Sequence, residues 1–155
     1  MNQAIRLNTE ETNTSQTEML GQPTKPKILV VEDDITFEPF WSAIAERADR
    51  NAQVFWATSE LEAESMIIAA IEAGRPYNLV ITDIFLSGSR TGIDLWIKFY
   101  KQLHGRIIVT SGIEYQKFVQ YFQSTEVRPE YLQKPLIPHE CVGAIYNAIH
   151  CGNFK

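Results

Sequence analysis

Cysteine and histidine are scarce, with two Cys and three His among 155 residues. Cys141 and Cys151 fall in one predicted helix, where helical rise separates them by about 15 Å. That is beyond disulfide reach, so a reducing compartment fits. His104, His139 and His150 show no metal-ligand spacing with the cysteines, so no zinc site is expected. Long apolar runs are also missing. No stretch approaches membrane-spanning length and the N-terminus has no signal-peptide apolar region, so a soluble, cytoplasmic protein with no membrane contact is expected. Positive charge is in deficit, with 14 Lys and Arg against 19 Asp and Glu and a net charge of −5. That balance argues against general nucleic-acid binding, which needs a basic face. No internal repeat is present.

What the chain does have is a set of short apolar runs that alternate with amphipathic stretches. Residues 1–26 are rich in Asn, Gln, Thr, Glu and Ser, which reads as a mobile N-terminal tail. A short helix over 10–20 is conceivable there but has no clear apolar face. Residues 27–152 form one domain, and 153–155 are a C-terminal end. Ile28-Leu29-Val30-Val31 is an unbroken apolar strand. Phe37, Phe40, Trp41, Ile44, Ala45 and Ala48 then make a helical stripe, with Thr36 as N-cap and Pro39 in the first turn. Gln53–Ala57 is a second strand at the sheet's edge. Ser59 with Glu62 reads as a capping box, and Gly74 closes that helix. Leu79–Asp83 is a third strand, buried on both faces. Thr91 with Asp94 opens a helix running to about Gln102. The fourth strand is Arg106 to Val109, ending in Thr110-Ser111-Gly112. Residues 114–123 are a helix with Phe118 and Phe122 on one side. Tyr131-Leu132-Gln133 is a short fifth strand. Pro138 opens the last helix, with Val142, Ile145, Ala148 and Ile149 inward.

Five strand–helix alternations imply an α/β fold with a five-stranded parallel sheet and helices on both faces. In a doubly wound order of 2-1-3-4-5, the first and third strands meet at the switch point, where ligands bind beyond the carboxyl ends. Those ends carry Glu32 and Asp33, Asp83, Thr110 and Lys134. Taken alone, Asp83 reads as a loop or helix cap. Four polar residues, each ending its own strand, read as a site. Two carboxylates about 5 Å apart repel by roughly 3 kcal/mol at an effective dielectric near 20. One lysine cannot balance three of them, and a divalent cation can. Oxygen-only donors favour Mg²⁺ over Zn²⁺. Asp83 would then be a carboxylate nucleophile toward phosphorus. Mg²⁺, Lys134 and the Thr110 hydroxyl would hold the phosphoryl oxygens.

Ile28-Leu29-Val30-Val31-Glu32-Asp33-Asp34, the strand ending at Asp83, Val109-Thr110 and Lys134-Pro135 together resemble the receiver domain of two-component response regulators, over about residues 27–150. The resemblance implies a flavodoxin-like receiver fold that takes a phosphoryl group from a phosphohistidine partner, with Asp83 as phosphoacceptor. Glu32, Asp33 and Asp83, with the Phe85 backbone carbonyl, would hold Mg²⁺. Thr110 would be the switch hydroxyl, Lys134 the phosphate-contacting lysine, and Tyr131 the switch aromatic. The Lys134–Pro135 bond would be cis. The partners implied are a sensor histidine kinase or histidine phosphotransfer protein and an undefined downstream protein target. Nothing follows the last helix that would serve as an output domain, so a stand-alone receiver is expected. It would be a signalling module that catalyses only its own phosphorylation and dephosphorylation. Two departures stand out. Ser87 occupies a position that is often Pro in the family, and the loop to Gly92 is one residue longer than the commonest form. Phe85 is large at a position that helps set dephosphorylation rate.

Other classes fit less well. A haloacid-dehalogenase-like phosphohydrolase wants a second acid two residues after its nucleophile, and Phe85 stands there. A flavodoxin-like FMN binder wants a phosphate loop where Glu32-Asp33-Asp34 would repel phosphate. A pseudo-receiver that only binds partners lacks the need for so complete a residue set.

Overall fold

The computed structural model describes residues 24–152. Most of the N-terminal segment, including the conceivable helix over 10–20, lies outside the described residues. Five strands alternate with five helices: β1 Lys27–Val31, α1 Glu38–Ala48, β2 Gln53–Ala57, α2 Glu60–Glu72, β3 Leu79–Asp83, α3 Gly92–Phe99, β4 Ile107–Ser111, α4 Tyr115–Gln120, β5 Glu130–Gln133 and α5 Pro138–His150. All neighbouring strands pair in parallel, in the order β2-β1-β3-β4-β5. The α/β architecture, strand order and two-sided helix cover agree with the sequence reading.

The apolar runs explain why the sheet has helices on both faces. Side chains alternate across a strand, so an unbroken run feeds both faces at once. Leu29, Val31, Val80, Ile107 and Val109 pack with Ile67, Leu95, Trp96 and Phe118 of α2, α3 and α4. Ile28, Val30, Leu79, Ile81 and Ile108 pack with Trp41, Ile44, Ile145 and Ala148 of α1 and α5. The inward face of α5 is Cys141, Ala144, Ile145 and Ala148. Val142 and Ile149, expected inward, are only half-buried at its margin.

Several helix ends differ from expectation. Thr36 does not cap α1. The Asp34 carboxylate accepts from both the Thr36 N–H and its hydroxyl, at 3.0 and 2.6 Å, and opens a 3-10 turn over Ile35–Phe37. Pro39 still sits in the first turn of α1, where its missing N–H costs nothing. Ser59 caps α2 through the Glu62 N–H, but Glu62 does not reach back to Ser59. Its carboxylate instead accepts from the N–H and hydroxyl of Thr58, at 2.8 and 3.0 Å. Gly74, at φ +68°, ends α2 in a Schellman turn with Gly74 N–H to Ile71 O and Arg75 N–H to Ala70 O. The Thr91–Asp94 box is reciprocal. α3 ends at Phe99, short of Gln102, and the chain continues in turns to His104 and Gly105, at φ 52° and 75°. The last helical residue of α4 is Gln120, yet the following turn keeps Phe122 in the core.

The register sets the site. Val31 pairs with Thr82, and Asp83 pairs with Thr110. Ser111 pairs with Gln133. Glu32, Asp83, Thr110 and Lys134 therefore leave the sheet along one edge.

Candidate functional site

Asp83 ends a strand buried on both faces and is itself only 8% exposed. Its carboxylate is fixed at both oxygens. Oδ1 accepts from the Phe85 N–H at 3.0 Å, and Oδ2 accepts from Lys134 Nζ at 2.5 Å. Glu32, buried at the end of β1, shares the same ammonium at 2.9 Å and accepts from the Asp34 N–H at 3.2 Å. Lys134 is fastened by its backbone, whose N–H donates to Ser111 O at 2.8 Å. The Lys134–Pro135 bond is cis. The ammonium lies 4.7 Å from the centroid of the Phe37 ring, within cation–π range.

Burial acts on these groups in opposite directions. At Glu32 it dominates and holds the carboxyl above its ordinary range, with the Asp83 charge adding to the rise and Lys134 only partly offsetting it. At Lys134 burial works against the charge, but hydrogen bonds and charges from Asp83 and Glu32 outweigh it and raise the pKa. The ammonium is therefore held charged between two carboxylates. It is a donor already placed where oxygens of a group bonded to Asp83 would lie.

Thr110 is buried beside Asp83, and its carbonyl accepts from the Ile84 N–H at 3.0 Å. Tyr131, which pairs with Val109, is turned toward the β4–α4 connection. Its hydroxyl donates to Ser111 O at 3.0 Å and to Ile113 O at 2.5 Å. Its ring stacks on Phe118, with centroids 4.1 Å apart. Burial raises the phenol's pKa, so it remains a donor at neutral pH.

Asp33 is exposed at the same edge. Among the described residues no three acidic, His or Cys side chains converge closely enough to hold a metal. The donor chemistry nevertheless suits Mg²⁺, because every nearby donor is oxygen and Mg²⁺ is commonly bound through only one or two carboxylates. Phe85 is 56% exposed beside the Asp83 carboxylate. Arg90, in the loop after it, reaches α2 through Glu60 at 3.2 Å and Glu64 at 3.0 Å.

Sequence reasoning missed four contributors. Phe37 reads as part of the α1 stripe, and nothing in its spacing marks it as a partner for Lys134. Ser111 accepts through its backbone, which carries no sequence signal; the same carbonyl receives both Lys134 N–H and Tyr131 hydroxyl. Thr82 is a buried hydroxyl in an otherwise apolar strand, donating to Asp83 O at 3.1 Å. Gly92 was legible only as a helix start.

No family model and no curated protein matches the chain. Solved structures do. A response regulator receiver domain protein from Clostridium thermocellum is 24% identical, with 81% of this chain and 95% of that one covered at a TM-score of 0.63. A CheY-like response regulator receiver domain protein from Methanospirillum hungatei JF-1 is 23% identical, with coverages of 83% and 97% and a TM-score of 0.62. A sensor protein from Polaromonas sp. JS666 is 20% identical, with coverages of 84% and 100% and a TM-score of 0.66. Taken with the 2-1-3-4-5 parallel sheet, these likenesses identify the fold of this chain as the response regulator receiver fold.

Proposed function

We propose that the chain is a phosphoryl-accepting receiver, with Asp83 as the acceptor. The observation that carries this reading is the Asp83 carboxylate bonded at 2.5 Å to an ammonium that Glu32 also holds, on the carboxyl edge of a receiver sheet. In the reaction an Asp83 oxygen attacks phosphorus. The new O–P bond forms as the N–P bond of a phosphohistidine donor breaks, and the imidazole nitrogen leaves with the electron pair. Lys134 exchanges part of its contact with Asp83 for the phosphoryl oxygens. Glu32 keeps the ammonium aimed at that place. Glu32, Asp33, Asp83 and the Phe85 carbonyl would hold Mg²⁺, which would supply neutralising charge. The donor is a sensor histidine kinase or a histidine phosphotransfer protein, and the setting is cytoplasmic. The product is read by a downstream protein, with Thr110 and Tyr131 as the switch pair.

The test is an intact mass after incubation with acetyl phosphate and Mg²⁺. One phosphoryl group adds to the wild type and none to Asp83→Asn, and EDTA blocks the addition. Equal labelling of Asp83→Asn would falsify the assignment. A second reading, a pseudo-receiver that only binds partners, is favoured by the exposed Asp33 and the lack of a converged acidic triad among the described residues. A wild type that stays unlabelled with Mg²⁺ present decides for it.

A further inference from the structure

We infer that Gly92 and Thr82 are positioning residues that set the Asp83 backbone from behind. This inference rests on the reading of Asp83 as phosphoacceptor. Gly92 is the first residue of α3 and is buried. Its N–H donates to Ile84 O at 3.1 Å, which presses the start of the helix against the end of β3. A Cβ on Gly92 would stand 2.1 Å from the Asp83 carbonyl oxygen, 2.9 Å from the Asp83 carbonyl carbon and 2.7 Å from Thr82 Oγ1. Two of those atoms are backbone of the acceptor residue, so they cannot swing aside as a side chain would. Thr82 is fully buried, and its hydroxyl donates to that same Asp83 carbonyl. The acceptor is thus held from two sides. Phe85 N–H and Lys134 hold its carboxylate, and Thr82 and Gly92 hold its peptide.

Helix propensity argues the other way, since Ala is a far better helix former than Gly. A requirement for Gly at this helix start therefore comes from the contact and not from the helix. Any side chain there displaces either α3 or the Asp83 peptide. In-line attack tolerates little misplacement, and about 1 Å costs on the order of a hundredfold in rate. Displacement should slow phosphoryl acceptance without changing how the donor binds.

Wild type, Gly92→Ala, Thr82→Ser and Thr82→Val are labelled over a range of acetyl phosphate with Mg²⁺, and amide NMR spectra are recorded for each. Gly92→Ala should label about ten- to a hundredfold more slowly at saturating donor, with the half-saturating concentration unchanged. The Phe85 amide resonance, which reports the bond to Asp83, should move. Thr82→Ser keeps the hydroxyl and should match wild type, while Thr82→Val should be slower. An unchanged maximal rate and an unmoved Phe85 amide in folded Gly92→Ala overturn the inference. If Gly92→Ala does not fold, the Thr82 pair decides, and equal rates for Ser and Val overturn it. If wild type accepts no phosphoryl group, the phosphoacceptor reading fails. In that case the Phe85 amide in the folded variants still decides whether these residues position Asp83.

Discussion

Glu32, beside Asp83, shows how burial and pairing compete at a single residue. Lys134 resolves the competition by standing between them. Because its folded pKa is raised above the ordinary 10.5, the stability it contributes is fully present below that value. It is lost only as pH rises through the higher folded value. Glu130, at the start of β5, has the opposite sign. Burial alone raises its carboxyl above the ordinary 4.5, so ionising it costs folding stability. The cost is absent below the unfolded value, grows as pH climbs, and is complete above the folded value. Glu130→Gln should therefore raise the unfolding free energy at neutral pH by about 1 kcal/mol or less, the usual scale of a single substitution. The gain should vanish near pH ~3.5, where both states carry the protonated acid. Equal gains at the two pH values would refute the burial account.

At the scale of elements, capping chemistry was the most legible feature and also the one most often off by a residue. Thr91 and Asp94 were readable because both partners of the box lie in the sequence at fixed spacing. The structure closes both bonds, with Thr91 N–H to Asp94 at 2.7 Å. Asp94→Ala should cost about 1 kcal/mol in urea unfolding, in line with the loss of a good cap. Glu62→Ala should cost less, because Ser59 keeps its bond to the Glu62 N–H. A larger loss at Glu62 would reverse this ranking. Asp34 and Thr36 are both capping types, and sequence could not say which wins. The Asp34 carboxylate captures Thr36 at two atoms, and that choice makes the 3-10 turn. The end of α4 was overrun for a different reason. The four-residue spacing of Phe118 and Phe122 reports which side of the chain is buried, and both are buried. It does not report whether the backbone between them stays helical. The strand ends were legible because apolar runs break sharply there. The backbone acceptors Ser111 O and Ile113 O were not, because any residue supplies a carbonyl.

The whole molecule has two cores divided by one sheet, and the Tyr131 ring packs against only one of them. Tyr131 stacks on Phe118, Phe118 meets Phe122 at 5.1 Å, and Phe122 meets Trp96 edge-on at 5.1 Å. Trp96 in turn stacks on Tyr100 at 4.7 Å. This line of rings runs from β5 through α4 to the end of α3. Trp41 and Trp56 lie on the other side, against the core of α1 and α5. Moving Tyr131 from its seat breaks the one hydrogen bond its hydroxyl can donate, shared between Ser111 O and Ile113 O and worth about 0.5–1.5 kcal/mol, and one aromatic stack worth about 0.5–1.5 kcal/mol. A charge-assisted bond from Thr110 to a phosphoryl oxygen returns about 1.5–3 kcal/mol. The two sides nearly balance, so phosphorylation alone should shift the population partway and a bound target should complete the shift. With fluorinated tryptophan at all three positions, beryllofluoride and Mg²⁺ should move the Trp96 fluorine resonance most and leave Trp56, on the edge strand, in place. Thr110→Ala should abolish the Trp96 response while Asp83 still accepts a phosphoryl group. Phe118→Leu should uncouple Trp96 in the same way without slowing labelling. A silent Trp96 in wild type, with the Phe85 amide responding, would mean that the phosphoryl edge is read directly and the rings are only packing.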